Sequence, residues 1–128
     1  MKVLLDTHAF LWALMEPEKL SARVRRLLDD ETTEVVVSAV SAWETSTKFR
    51  LGKLPGAKRV VMDYQAALHG LQAISLEVTS EHALKAGSWE VAHRDPFDRM
   101  LAAQSQLERL ALVSCDPAMK QFDTEVIW

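Results

Sequence analysis

Short apolar runs alternate along the chain with longer stretches that carry apolar residues at helical spacing. The apolar runs are residues 3–5, 35–37, 73–76, 111–114 and 125–128. Runs this short, flanked by polar or turn residues, are typical of strands buried on both faces of a parallel sheet. The pattern therefore predicts a five-stranded sheet, with 73–76 as its weakest inner signal.

Helical patterns fill the intervals between these strands. They cover residues 9–15, the segment after the Ser21 cap, and residues 38–50, 57–69, 80–85 and 96–110. Ser80 is the expected cap of the helix over 80–85, residues 87–94 are a predicted loop, and Asp116 opens a short helical turn. Strands that alternate with helices form parallel βαβ units, so we expect one α/β domain over residues 1–128.

The composition narrows the class of protein. The 128 residues are 48 % hydrophobic and 26 % charged, which is typical of a folded domain with a core. The formal net charge of −3 gives no overall basic character, so a polyanionic ligand needs a local basic patch or bound metal ions. No apolar stretch is long enough to span a membrane, and the single Cys115 fits a reducing compartment. We therefore expect a cytoplasmic protein.

Five carboxylates fall where predicted strands end or helices begin. Asp6 follows the first strand, and Glu44 lies in the first two turns of the helix after the second strand. Asp95 and Asp98 share the opening turn of the helix over 96–110, and Asp116 follows the fourth strand. Ligands bind at the carboxyl ends of the strands in open α/β sheets, so we expect these side chains to converge there.

Acids brought together in this way repel one another unless cations lie between them. Mg²⁺ and Mn²⁺ bind carboxylate oxygen and retain water molecules beside substrate phosphates. Such ions orient an attacking water, lower its pKa and neutralise charge on the phosphate. The cluster therefore favours metal-assisted hydrolysis of phosphodiester bonds.

Helix capping explains several of the acids without any metal. Asp95 and Asp116 each precede a proline, as helix N-caps often do. Asp98 is then the third-position acid that the helix dipole favours. Each of these acids taken alone therefore fits a cap at least as well as a catalytic group.

The other two acids are less well explained by capping. Glu44 completes a capping box if its helix is capped by Ser41, whereas it lies inside the helix if Ser38 is the cap. Asp6 is expected to cap only weakly, because it ends a strand. Capping also does not explain why all the acids share one edge of the sheet, and this coincidence favours a site.

The residues around these acids form four motifs: LLDTHAFLWAL, SAVSAWETSTKFRLGKL, HRDPFDRMLAAQSQ and LVSCDPAMKQF. In their order and spacing the chain resembles the PIN-domain family, and within it the VapC-type toxins of bacterial toxin–antitoxin pairs. The resemblance implies a three-layer α/β fold with a five-stranded parallel sheet of order 3-2-1-4-5 between helices. It also implies a metal-dependent endoribonuclease that uses Mg²⁺ or Mn²⁺ held by clustered acids.

The resemblance also assigns roles to individual residues. It implies that the catalytic, metal-binding acids are Asp6, Glu44, Asp98 and Asp116. Asp95 belongs to the DPFDR motif and is either a further ligand or only the helix cap. Thr7 is similar to the hydroxyl residue that steadies the first acid or a water molecule in this family.

Basic residues near the acids are candidates for RNA contacts. Residues 48–59 form the only local basic run and contain no acid. This run, which includes Lys48, either contacts RNA phosphates or the acidic tail of a partner, or is a solvated helix face. Arg94 and Arg99 are better placed to meet phosphate, although Arg99 fits equally well as an ion-pair partner that lets the acids coexist.

Aromatic and histidine residues carry weaker signals. Tryptophans can stack on nucleobases. We nevertheless expect Trp12 and Trp43 in the core or in a dimer interface, because helical aromatic residues are more often buried. The four histidines show no metal-ligand spacing with one another, and His93 is expected to be an ordinary loop residue.

The resemblance further implies protein partners. A VapC-type toxin is expected to form a homodimer and to bind a cognate VapB-like antitoxin. We expect a segment of that antitoxin to pack into an apolar groove formed by the early helices. The RNA that would be cleaved is not identified by the sequence.

Other functions fit the residues less well. A phosphotransfer hydrolase of the haloacid type needs a second aspartate two residues after Asp6, where His8 stands. A response-receiver domain needs an aspartate after the third strand, where Glu77 stands. A catalytically silent PIN fold kept for RNA binding or scaffolding stays open, although none of the family's acids is missing.

Overall fold

The computed structural model describes all 128 residues and contains one parallel five-stranded sheet. The strands are β1 (Lys2–Leu5), β2 (Glu34–Ser38), β3 (Ile74–Leu76), β4 (Ala111–Val113) and β5 (Val126–Ile127). Their order is β3-β2-β1-β4-β5, and every neighbouring pair is parallel. The predicted α/β class and strand order are therefore confirmed.

Seven α-helices and three 3₁₀ turns connect the strands. The helices are α1 (Thr7–Met15), α2 (Ala22–Asp29), α3 (Ala39–Arg50), α4 (Lys58–Met62), α5 (Tyr64–Gly70), α6 (Ser80–Ser88) and α7 (Pro96–Glu108). The 3₁₀ turns are Pro17–Lys19, Pro55–Ala57 and Pro117–Gln121. Even α7, with 13 residues the longest helix, is too short to cross a membrane, and none of the others is long and apolar enough to do so.

Most predicted helix bounds are within three residues of those in the structure, and two helices differ in how they begin. The single helix expected over 57–69 is divided at Asp63. The backbone of Asp63 is not helical, and its carboxylate caps the second helix by accepting the Ala66 N–H at 3.1 Å. The helix expected to begin with a Ser80 cap is capped instead by Thr79, in a reciprocal box in which Thr79 and His82 each bond the other's backbone N–H. In both places a side chain that satisfies free N–H groups sets the start of the helix.

The central strand β1 divides the core into two halves. Val3 and Leu5 face one side, which packs against α1, α2, α4 and α5, whereas Leu4 faces α3 and α7 on the other. Leu5 is in register with Val37 of β2 and Val113 of β4. The residues that follow these three strand positions therefore meet at one edge of the sheet.

Candidate metal centre

Asp6 lies at the centre of this edge and is 6 % exposed. Its backbone N–H donates to the Val113 carbonyl at 3.0 Å, and its Oδ1 accepts the Ala9 N–H at 2.7 Å. Asp6 is thus the N-cap of α1, and the expectation that it caps only weakly is wrong. Burial raises the pKa of the Asp6 carboxyl, hydrogen bonding from Ser114 and Ala9 opposes this, and the charge of Glu44 adds to the rise.

Glu44 reaches the same edge from α3. Ser38, not Ser41, caps this helix by accepting the Val40 N–H at 3.0 Å, so Glu44 lies inside the helix. Glu44 is only 3 % exposed, and its Oε2 pairs with Lys48 Nζ one turn later. Its Oε1 is buried and has no hydrogen-bond partner. Burial of a carboxylate oxygen without a partner costs free energy, which a hydrogen-bond donor or a cation beside it would offset.

The Glu44 carboxylate raises the pKa of Lys48. Burial lowers the pKa of the Lys48 ammonium, but the hydrogen bond to Glu44 and the charges of Glu44, Asp95 and Asp98 outweigh that effect, and the pKa is raised. Lys48 therefore stays charged and neutralises part of the acid cluster. The structure shows Lys48 as the partner of Glu44, a role that the sequence did not predict, and its contact with RNA stays a prediction.

Asp98, Asp116 and His93 form the most compact part of the site. Each offers one ligand atom, and these three atoms all lie within 4.8 Å of one another. His93 Nε2 is 2.8 Å from Asp98 Oδ2. Burial raises the pKa of the Asp98 carboxyl, the His93 hydrogen bond opposes it, and the charges of Asp95 and Glu44 add to the rise.

The sequence placed His93 near the site but predicted no role for it there. The expectation of an ordinary loop histidine is wrong, because its ring lies against two of the expected site acids. The available signal was its place in HRDPFDR, two residues before Asp95 and five before Asp98.

The caps predicted for Asp95 and Asp116 are both present. Asp95 Oδ1 accepts the N–H groups of Phe97 at 2.9 Å and Asp98 at 3.2 Å, and Asp116 Oδ1 accepts that of Ala118 at 2.9 Å. Asp116 nevertheless also belongs to the compact cluster with His93. Asp116 can therefore cap a helical turn with one oxygen and still belong to the site.

The donor set fits a divalent cation. Glu44 lies close enough to both Asp6 and Asp98 for its charge to raise the pKa of each, and Asp116 lies beside Asp98. Lys48 is the only cation that forms a salt bridge within this group. Carboxylate oxygens with one imidazole, and an orphaned buried oxygen on Glu44, are the chemistry that binds a small divalent ion.

The family follows from a comparison with known domains. A model of the PIN domain matches residues 3–125 of the chain. The chain belongs to the PIN-domain family. No curated protein matches it in sequence.

Solved structures share this PIN fold. DNA-bound VapBC from Salmonella typhimurium superposes with a TM-score of 0.71 at 14 % identity, over 99 % of this chain and 97 % of that one. FitAcB from Neisseria gonorrhoeae gives a TM-score of 0.67 at 21 % identity, over 100 % and 97 %. VapBC2 from Rickettsia felis, bound to a DNA fragment from its promoter, gives 0.67 at 12 % identity, over 99 % and 98 %. At these identities the likeness shows a shared fold.

Two further predicted site residues of this PIN domain have structural contacts. Thr7 Oγ1 donates to Ser41 Oγ at 3.0 Å and so joins α1 to α3, and it does not donate to the Asp6 carboxylate. Arg99 donates to three backbone carbonyls, those of Ala86 at 2.8 Å, His93 at 2.8 Å and Trp89 at 2.5 Å. It forms no ion pair with the acids and instead holds the chain between α6 and α7. Arg94 is exposed beside this segment.

Trp43 lies next to Glu44 on the surface of the PIN domain. It is 61 % exposed and contacts the ring of Phe97 edge-on, with centroids 4.8 Å apart. Of the two positions expected for Trp43, the core is therefore wrong, and a dimer interface stays a prediction. Trp12 does pack against the core, where its ring meets that of Trp128 with centroids 5.9 Å apart.

Proposed function

We propose that the protein is a metal-dependent endoribonuclease, the toxin component of a VapC-type toxin–antitoxin pair. The observation that carries the proposal is the convergence of four acids from four different elements on one sheet edge. The charge of Glu44 helps to raise the pKa of both Asp6 and Asp98. The ligand atoms of Asp98 and Asp116 lie within 4.8 Å of each other. Membership of the PIN family and the fold shared with VapBC and FitAcB support the same function.

The acids would hold Mg²⁺ or Mn²⁺ through Asp6, Glu44, Asp98 and Asp116. A bound ion of this kind activates a water molecule and neutralises charge on the scissile phosphate. The chain itself supplies a rigid frame, because Asp6 and Asp116 are fixed by the helix ends they cap. Asp95 is fixed by two N–H groups and contributes its charge to Asp98 and Lys48, which supports a capping role over a ligand role.

RNA would approach over the exposed rim of the acids. Trp43 offers a ring face for stacking beside Glu44, and stacking of this kind tolerates any base. Arg94 is exposed and has no hydrogen-bond partner in the chain, so it is free to contact phosphate. The Lys48 side chain is 26 % exposed although it is paired with Glu44, so part of it remains available to a phosphate.

An antitoxin would dock on the opposite side of α1. A groove of about 620 Å³ lies between the end of α1 and the α4–α5 pair, and Leu14, Met15 and Val60 contribute to its apolar wall. Met62 beside it is 74 % exposed. Its apolar wall supports the assignment of this groove to a segment of a VapB-like partner. We further propose that the toxin and its antitoxin are cytoplasmic, because the proposed RNA substrate is found there. We also propose that the toxin is a homodimer.

The deciding experiment is cleavage of a mixed RNA pool by the purified chain with Mn²⁺ or Mg²⁺. Asp6→Asn and a chelator should each abolish cleavage, whereas Asp123→Asn, an exposed acid near the far end of α7, should leave it unchanged. Mapping the cut ends would then identify the sequence preference.

Failure would take a clear form. A folded chain that binds metal and RNA but cleaves none of the pool would favour the silent binding module. Cleavage that survives Asp6→Asn would contradict the assignment of the site. A chain that stays monomeric and does not bind the protein encoded beside it would contradict the toxin–antitoxin assignment.

A further inference from the structure

The segment between α6 and α7 carries an imidazole into a cluster of acids. His93 Nε2 lies 2.8 Å from Asp98 Oδ2, and its ligand atom lies within 4.8 Å of those of Asp98 and Asp116. We propose that His93 is a metal ligand, so that the site is a mixed nitrogen–oxygen centre which selects first-row transition ions over Mg²⁺. This inference deepens the proposed function, because it concerns the ion at the same site.

The position of the imidazole is built into the fold. The His93 carbonyl accepts a hydrogen bond from Arg99 Nη1 at 2.8 Å, and the same guanidinium holds the carbonyls of Ala86 and Trp89. The ring itself packs edge-on against Phe122, with centroids 5.9 Å apart. Its side chain is 20 % exposed. A ligand held by its backbone and by ring packing loses little freedom when it binds an ion.

A second observation points to a cation at this place. Glu44 is 3 % exposed, and its Oε1 has no hydrogen-bond partner although Oε2 is paired with Lys48. The charge of Glu44 reaches Asp98, which also contacts His93. A buried carboxylate whose charge acts on neighbouring acids is stabilised by a positive ion among them. His93 and Glu44 then approach that ion from different elements.

The nitrogen changes which ions the site prefers. Mg²⁺ binds almost only oxygen and keeps several water molecules. Imidazole is a ligand for first-row transition ions, and affinity for a site with nitrogen ligands varies strongly across that series. Replacement of His93 by a residue without a ring nitrogen should therefore weaken binding of Ni²⁺ far more than binding of Mg²⁺. Mn²⁺, which prefers oxygen ligands as Mg²⁺ does, should be affected less than Ni²⁺.

The test uses Mn²⁺ as a paramagnetic probe. Pulsed electron paramagnetic resonance of the Mn²⁺-loaded chain should show coupling to a directly bound ¹⁴N in the wild type and in His69→Gln, a histidine at the end of α5. The coupling should be lost in His93→Gln. Titration calorimetry should show Ni²⁺ affinity falling about 10-fold or more in His93→Gln, since even an outer-shell partner of a ligand is worth about 10- to 100-fold. Mg²⁺ affinity should change by less than about threefold.

Several results would overturn the inference. They are an oxygen-only Mn²⁺ spectrum in the wild type, ¹⁴N coupling that persists in His93→Gln, and absence of Mn²⁺ binding by the folded chain. Should His93→Gln fold poorly, His93→Asn is assayed in its place, after a melting curve in chelator. An oxygen-only spectrum from a chain that cleaves RNA would reject His93 as a ligand and leave the nuclease standing. Nitrogen coupling in a chain that cleaves no RNA would do the reverse.

Discussion

Asp6 Oδ1 accepts the Ala9 N–H at 2.7 Å, so the acid that ends β1 is also the residue that starts α1. One carboxylate thus connects the central strand, the first helix and the acid cluster. The connection keeps the side chain in place without a metal. It also requires a charge to be buried next to Glu44, and this has a cost in folding free energy.

Asp6→Asn should stabilise the metal-free chain at neutral pH. The amide oxygen can still accept the Ala9 N–H, whereas the buried charge is gone. We expect Tm in chelator at pH 7 to rise by a few degrees, since 1 kcal/mol corresponds to about 4 °C for a chain of this size. Differential scanning calorimetry with and without Mn²⁺ measures this. Addition of Mn²⁺ should raise Tm of the wild type more than Tm of the variant.

The same variant gives a pH dependence with a definite sign. The pKa of Asp6 in the folded chain is raised above its ordinary value of 3.8, so the folded state binds this proton more tightly than the unfolded state. Stability from this group therefore falls as the pH rises through the window above 3.8, and the advantage of Asp6→Asn should shrink toward pH 4.

Asp6→Ala, which loses the cap, should be less stable than Asp6→Asn by about 1 kcal/mol. Equal melting temperatures for wild type and Asp6→Asn at pH 7 would contradict the cost of burial.

The fold was predictable from the sequence because strands buried on both faces leave a plain signal. Runs such as Val35–Val37 admit few other structures, and the strand order came with the resemblance. The positions of the acids after strands were equally readable, because parallel strands end at one edge.

The finer contacts of the site were not readable in this way. Whether Ser38 or Ser41 caps α3 depends on local geometry that both residues could satisfy. The roles of His93 and Arg99 depend on how the chain between α6 and α7 folds back, and no periodicity describes that segment. Its shape is set by hydrogen bonds from one guanidinium to three carbonyls.

Lys48→Met should destabilise the chain by leaving the Glu44 carboxylate buried without a cation. The side chains are 26 % and 4 % exposed, and loss of one partner from such a pair costs about 1–3 kcal/mol. Urea unfolding in chelator measures this cost. Glu44→Gln together with Lys48→Met should recover most of the loss, because the buried charge is then absent. A double variant as unstable as Lys48→Met alone would show that Lys48 acts through packing.

Arg99 and Arg94 should separate stability from RNA binding. Arg99→Lys cannot span three carbonyls with one ammonium group, and we expect it to lose about 2–4 kcal/mol of stability in urea. Arg94→Ala changes an exposed residue and should shift stability by less than about 0.5 kcal/mol. If Arg94 contacts a phosphate, its removal should lower the slope of log affinity against log salt by about 1. An unchanged salt slope would remove Arg94 from the RNA surface.

Trp43→Ala should weaken RNA binding and lower stability by only about 0.5–1.5 kcal/mol, through loss of the contact with Phe97. Trp43 is 61 % exposed beside Glu44, and stacking on one base is worth about 1–3 kcal/mol, or about 5- to 150-fold in Kd. Binding is measured by fluorescence anisotropy with a labelled RNA in Ca²⁺ or chelator, so that cleavage does not interfere.

Trp89 is the matched control, since it is half-buried and packs on Phe122 with ring centroids 4.9 Å apart. Trp89→Ala should lower stability by about 2–4 kcal/mol through lost packing, and should leave RNA affinity of the folded fraction close to that of the wild type. Trp43→Phe keeps a ring face and should recover part of the affinity. If Trp43→Ala binds RNA as tightly as the wild type but fails to dimerise, this surface is a protein interface, and RNA must approach the acids from the side of Arg94.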